Sequence, residues 1–189
     1  SGGAYSGTPP DYVAWCWKAG DHDDNLPQIN TEGTIDSIVS VNDAAGFSIV
    51  KYRGNNGASG TIGHGLSSAP ELIITKSLSH AAGWPTQFNV GGTAFYGLRL
   101  NTTGGNDSAN GSVFYNNTAP TSTVYTVGSS DETNDNYDYI SYCWYSVTGH
   151  SSIGSYTGDG TTTKAINVGF KPRFLLIKIT SASDNWVIF

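Results

Sequence analysis

Apolar and polar residues alternate through most of this chain, in short runs broken by Gly, Asn, Ser and Pro. Alternation puts successive side chains on opposite faces of an extended backbone, so it marks half-buried strands. It predicts strands over 12–17, 34–41, 47–52, 61–66, 71–76, 88–90, 94–100, 112–115, 124–127, 139–147, 153–156, 165–168, 174–179 and 186–189. The run Leu72-Ile73-Ile74-Thr75 does not alternate and reads as a strand buried on both faces. Arg53-Gly54-Asn55-Asn56-Gly57 supplies residues that tolerate positive φ, as a tight turn requires. No window combines helical periodicity with caps at both ends. Many short strands separated by turn signals predict an all-β fold, an antiparallel β-sandwich of jelly-roll or concanavalin-like type built from degenerate repeats.

The repeats are legible in the order of landmarks. The stretch 46–76, GFSIVKYRGNNGASGTIGHGLSSAPELIITK, returns in degenerate form over 149–178. Each copy has a strand ending in Tyr (Tyr52, Tyr156), a Gly-rich turn, a Gly before Pro (Gly65 and Pro70, Gly169 and Pro172) and an apolar strand closing on Lys. A Trp follows each, Trp84 and Trp186. A Tyr-x-x-x-Cys-Trp element precedes both copies, at 12–17 and again at 139–144, and the first interval carries an extra stretch, 21–45, of the kind a loop insertion produces. The expected organisation is the end of a preceding unit plus an inserted linker strand over 1–45, a complete unit over 46–148 and the start of a second over 149–189. On this reading the chain is an excerpt of a longer polypeptide. The alternative is a single domain in which the first and last pieces complete each other.

The 189 residues are 38% hydrophobic and 12% aromatic, enough for a packed core. The formal net charge is -6. Neutralising phosphates takes a basic face, and Lys and Arg scattered singly do not supply one, so nucleic acid is not an expected partner. No apolar run approaches the roughly 20 residues needed to cross a bilayer, so no membrane insertion is expected. Cys16 and Cys143 hold equivalent places in the repeat, separated by the width of a unit, and read as small buried hydrophobes on core strands rather than disulfide partners.

Catalytic and metal-binding patterns are not assembled in the sequence, and no cofactor is expected. The nearest approach to a nucleophile elbow, 57–61, lacks its last Gly and a helix behind it. Gly63-His64-Gly65 lacks the third Gly and the helix of a phosphate cradle, and reads as a tight connection between strands. His22, His64, His80 and His150 do not fall at zinc-ligand spacing and read as surface or turn residues. The acidic stretch 131–138, with Asp131, Glu132, Asp135 and Asp138, could gather oxygens around calcium but lacks the EF-hand pattern and reads as a solvated loop. Carbohydrate binding has more in its favour: Trp84, Tyr96, Tyr115, Tyr125, Tyr137 and Tyr145 sit among Asn, Asp and Gly, and a sugar needs an aromatic ring for its apolar face and polar groups for its edges. Most aromatics in a sheet protein are core or cross-strand partners, and for any single one of these six that is the leading reading. The enzymatic alternative is a glycan-degrading depolymerase using two carboxylates among Asp11, Asp36, Asp43, Glu71, Asp131 and Asp138, facing one cleft at roughly 5 to 9 Å. A calcium-stabilised lectin-like domain is the third reading.

The strings G-S-Y-T-G-x-G at 154–160 and G-F-x-P-x-F-x-L-I-K at 169–178, with the 46–76 and 139–160 stretches, resemble a repeated module of unknown function from structural and tail-fibre-like proteins of marine bacteriophages. The resemblance spans 12–189 and implies a non-enzymatic structural or adhesive virion component. It further implies a homo-oligomeric fibre or surface appendage associated with other virion proteins, with host-surface glycans as ligands. The family carries over no catalytic residues.

Overall fold

The fold is seen in a computed structural model that describes residue 14 and residues 16–20, 28–161 and 163–189. Among the described residues the strands are β1 (Gln28–Asn30), β2 (Ser37–Asn42), β3 (Phe47–Arg53), β4 (Gly60–Gly63), β5 (Leu72–Ser77), β6 (Pro85–Val90), β7 (Thr93–Arg99), β8 (Val124–Val127), β9 (Asp138–Trp144), β10 (Leu176–Ile177) and β11 (Val187–Ile188), with a 3-10 turn (Asp43–Ala45) between β2 and β3 and an α-helix, α1 (Ser108–Phe114), between β7 and β8. Seven strands form an antiparallel sheet in the order β1-β2-β3-β9-β5-β6-β7. Late in the chain, β9 enters between β3 and β5 and pairs antiparallel with both, which ties segments some ninety positions apart into one sheet. Its register sets Tyr139 against Tyr52 and Cys143 against Ser48 on one side, and Ser141 against Thr75 on the other.

Alternation decides which face is buried. Along β9, Tyr139, Ser141 and Cys143 point inward while Ile140, Tyr142 and Trp144 are half-exposed. The inward face is covered by the two-stranded β4–β8 sheet and by the C-terminal end of α1, making the domain an all-β sandwich of one large and one small sheet. Val39, Val50, Tyr52, Ile73 and Cys143 from the large sheet meet Ile62, Tyr125 and Val127 from the small one, with Phe114 and Tyr115 beside them. Burying a residue such as Ile73 stabilises the fold by roughly 1.5–3 kcal/mol. A parallel bridge between Ile35 and Ile62 joins the two layers at one side. The connection after β4 turns on Gly65, at φ +74°, where an added Cβ would also meet Val41 Cγ2 at 2.8 Å.

The hydroxyls in this core form an ordered relay. Tyr115 Oη lies 2.9 Å from the Pro85 carbonyl and 3.0 Å from Thr75 Oγ1, Thr75 Oγ1 lies 2.8 Å from Ser141 Oγ, and Tyr125 Oη lies 2.8 Å from Ser141 Oγ. Tyr115 has one proton and the Pro85 carbonyl can only accept it, so Thr75 donates to Tyr115, Ser141 to Thr75 and Tyr125 to Ser141. Four buried hydroxyls are thereby satisfied with one direction of donation.

Several strand expectations are corrected. Residues 112–115 lie at the end of α1: Asp107 caps the helix by accepting from Ala109 N at 2.9 Å, and an extended backbone would forfeit that bond. Residues 153–156 and 165–168 are not in strands, since among the described residues no segment offers them a ladder, and they are mostly exposed. Of the strand expected over 12–17, residues 12, 13 and 15 lie outside the described residues, and Cys16 and Trp17 are not in a strand. Cys16 is exposed rather than a buried hydrophobe; Cys143 is buried, and both are free thiols. His64 lies in the connection after β4, as its turn reading expects, but it is fully buried there because its ring bonds Leu66 N and faces the Thr121 carbonyl.

Part of the repeat is realised in strand pairing. A shift of 102 positions carries Ile74 onto Leu176 and Thr86 onto Ile188, and both pairs are cross-strand partners, Ile74 with Thr86 and Leu176 with Ile188. The same shift carries Lys76 onto Lys178 and Ala82 onto Asp184; Lys76 Nζ donates to the Ala82 carbonyl at 3.1 Å and Lys178 Nζ to the Asp184 carbonyl at 2.9 Å. The hairpin β10–β11 therefore reproduces β5–β6 in register and in its lysine clasp. Matching strand paths do not extend upstream: among the described residues of 151–173, β3 and β4 have no strand counterparts.

Candidate functional site

The β5–β6 hairpin supplies one wall of an open basin of about 480 Å³, lined by Lys76, His80, Ala81, Ala82 and Gly83, with Asp131 and Glu132 opposite. Lys76, near the end of β5, is half-exposed after three buried residues, with its ammonium clasped by Ala82 O and lying 5.9 Å from the centre of the Trp84 ring. His80 Nε2 is 3.2 Å from Asp131 Oδ2, and its ring stacks on Tyr137 at 4.8 Å and 9°. An aromatic ring thus adjoins each of two residues that line the basin, Trp84 beside Lys76 and Tyr137 against His80.

Glu132 is fixed by Arg99. The guanidinium meets both carboxylate oxygens, Nε to Oε2 at 2.9 Å and Nη2 to Oε1 at 2.7 Å, and lies over the Phe114 ring at 4.5 Å. The hydrogen bonds to Glu132 raise the already high pKa of Arg99 further. A carboxylate held bidentately in this way is committed to its guanidinium partner.

Each sequence-nominated carboxylate that the structure describes has a place. Asp43 accepts from Ser67 N and Ser67 Oγ, both at 2.8 Å; burial pushes its pKa up, and the Ser67 bonds outweigh that and leave it below the usual value. Glu71 accepts from Ser146 N at 2.8 Å and from Ser146 Oγ. Asp138 pairs with Arg53 at 3.5 Å on the exposed edge of β3 and β9. Asp36 is exposed between Ile35 and β2, and Asp11, like His22, lies outside the described residues. Of the carboxylates considered for glycan cleavage, only Asp131 lines the basin, beside the Arg99-bound Glu132.

The acidic stretch is a built loop. Asn134 is fully buried, donates to the Ala58 and Gly128 carbonyls at 2.6 and 2.8 Å, and accepts from Asn55 N at 2.9 Å. Tyr139 Oη donates to the Asp131 carbonyl at 2.6 Å and accepts from Asp135 N at 2.9 Å; burial pushes the pKa of this phenol up to about 12. Among the described residues, no three His, Cys, Asp or Glu side chains group to hold a metal ion.

Of the six aromatic residues considered for sugar contact, Tyr115 and Tyr125 are fully buried and belong to the hydroxyl relay, which removes both from the sugar-contact set and agrees with the core reading. Tyr96, Tyr137 and Tyr145 are half-buried against the core, and Tyr145 Oη donates to the Asp43 carbonyl at 2.6 Å. Trp84 and Tyr137 remain beside the basin. Sequence reasoning passed over Arg99, Lys76 and the stacking of His80; the available signal was an acidic run in a chain with few cations, which calls for one of those cations to meet it.

Fold and site together define an all-β domain of two facing antiparallel sheets with an open polar basin at the end of one hairpin. The chain belongs to the family described as Domain of unknown function (DUF7483), whose model matches residues 3–189. No curated protein and no solved structure matches it.

Proposed function

We propose that this domain is a non-enzymatic structural and adhesive module of a virion surface appendage, such as a tail fibre, that engages host-surface glycans through the basin beside Trp84. The observation that carries this reading is how the acidic groups are used: Asp43, Glu71, Glu132 and Asp138 each serve as acceptors for scaffold partners. Glycan cleavage by paired carboxyls takes two such groups facing one bond across a cleft. Glycan binding takes a ring to stack on and polar groups around it, and Trp84, Lys76, His80 and Asp131 are that set. The resemblance of the G-S-Y-T-G-x-G and G-F-x-P-x-F-x-L-I-K strings to phage appendage modules supports the location.

The test combines mass spectrometry of purified particles with a glycan array. The expected result is the chain in the particle and array binding lost in Trp84→Ala and Lys76→Ala. Turnover of a bound glycan that disappears in Asp131→Asn would replace this reading with the depolymerase.

A further inference from the structure

The hairpin β10–β11 repeats β5–β6 but lacks the neighbour that completes it. In the first copy the free side of β5 is occupied by β9, with Leu72 opposite Trp144 and Ile73 opposite Cys143. Leu78 N donates to the Asp138 carbonyl at 2.7 Å, which sets the phase of the ladder. Leu72 and Trp144 are a hydrogen-bonded pair, while Ile73 and Cys143 lie between bonds, where side chains approach most closely.

In the second copy, among the described residues, no strand pairs with that side of β10. The side chains equivalent to the inward face of β5 and β6 are apolar and uncovered: Leu175 is 40% exposed, Ile179 44%, Val187 42% and Phe189 70%. A bare apolar strand edge is a site for adding a strand.

The strand that fits is already in the chain. The Cys-Trp element of β9 occurs once more, at Cys16 and Trp17. The shift of 102 positions carries Leu72 onto Phe174, and a shift of 127 carries Trp144 onto Trp17, so the Leu72–Trp144 pair becomes Phe174–Trp17. That contact is made: the two rings lie edge to face with centroids 5.4 Å apart. Trp17 also packs against Trp144 at 6.2 Å, and Asn42 Nδ2 donates to the Lys18 carbonyl at 3.1 Å, which holds the segment at this end of the large sheet. One family model spans both segments, so head and tail belong to the same unit.

We propose that the chain's own first Cys-Trp element adds antiparallel to the open edge of β10, with Trp17 opposite Phe174, Cys16 opposite Leu175 and Ala14 opposite Ile177. Head and tail together then rebuild the β9-β5-β6 triplet, and the two ends of the domain are clasped. Small Cys16 and Ala14 would face Leu175 and Ile177, repeating the Cys143 and Ile73 juxtaposition of the core. The inference holds whatever the basin binds, and its test does not depend on the proposed function.

Leu175→Cys in the full chain tests the register, because it places a thiol opposite native Cys16 at a close-approach pair. Diamide accepts the two electrons and two protons as the disulfide forms. The expected product is a monomer with one bond between Cys16 and the introduced thiol, located by peptide mass mapping. Leu176→Cys, one residue out of register and on the other face, should form it at least tenfold more slowly. Equal rates for the two variants, or no bond while Cys16 still reacts with a thiol reagent, would overturn the proposal. A bond found only between two chains would overturn it as well and assign the edge to a second copy.

Discussion

The Tyr125 hydroxyl donates to Ser141 Oγ at 2.8 Å across the interface of the two sheets, and that bond starts a relay ending on the Pro85 carbonyl. The two residues are cross-layer partners, one on the small sheet and one on the central strand of the large sheet. Tyr125→Phe removes the first donor and leaves Ser141 able to donate onward, so the expected loss is about 1 kcal/mol. Tyr115→Phe removes the terminal donor and leaves a buried carbonyl and the Thr75 proton without partners, so its loss should be larger, about 1–3 kcal/mol. Urea unfolding midpoints of the two variants would establish the order, and equal losses would contradict the assigned direction of donation.

Acid should weaken the domain through His64. Leu66 N donates to His64 Nδ1 at 3.1 Å and Nε2 lies 3.2 Å from the Thr121 carbonyl, so the neutral ring carries its proton on Nε2. Burial lowers the pKa of this ring below 6.5, partly opposed by the bond to Thr121. The unfolded chain therefore binds more protons in this range. The contribution of His64 is present in full above pH 6.5 and is lost as pH falls from there toward the folded value. His64→Gln should be less stable than the parent at pH 8 and should show a flatter stability profile between pH 7 and 5.

The Arg99–Glu132 pair should behave as a partly buried ion pair, with side chains 26% and 18% exposed. Glu132→Gln leaves the guanidinium over Phe114 without its charged acceptor and should cost about 1.5–3 kcal/mol. Arg99→Met combined with Glu132→Leu should recover part of that loss, because apolar replacement removes both desolvation penalties. A double substitution worse than the single would show that the pair is net stabilising.

Gly97 on β7 is where α1 approaches the sheet. A Cβ there would lie 1.7 Å from the Asp107 carbonyl oxygen, and backbone cannot yield as a flexible side chain does. Gly97→Ala should destabilise by at least about 2 kcal/mol through displacement of the helix start. Gly91→Ala provides the contrast: nothing lies within 4 Å of its would-be Cβ, and its cost comes from φ +58° alone.

Alternation made the large sheet legible because burial on one face imposes a period of two on β9, on most of β3 and on the start of β2. β5 was legible for the opposite reason, through the apolar run Leu72-Ile73-Ile74 in a strand with a neighbour on each side. Helix α1 was not, because one of two turns is set by the Asp107 cap and by packing on Gly97 rather than by periodicity. Residues 153–156 and 165–168 alternate well enough, but a strand exists only with a partner, and pairing is not a property of the segment. The basin escaped for a similar reason: Lys76, Arg99 and Asp131 are unremarkable singly and meet only after β9 has drawn distant segments together.

The two native thiols differ in a way that can be put to use. Cys16 is open to a reagent, whereas Cys143 is wholly enclosed and burial holds it in its unreactive protonated form. A maleimide dye should thus mark Cys16 at once, and its slow arrival at Cys143 would clock how often the central strand comes free.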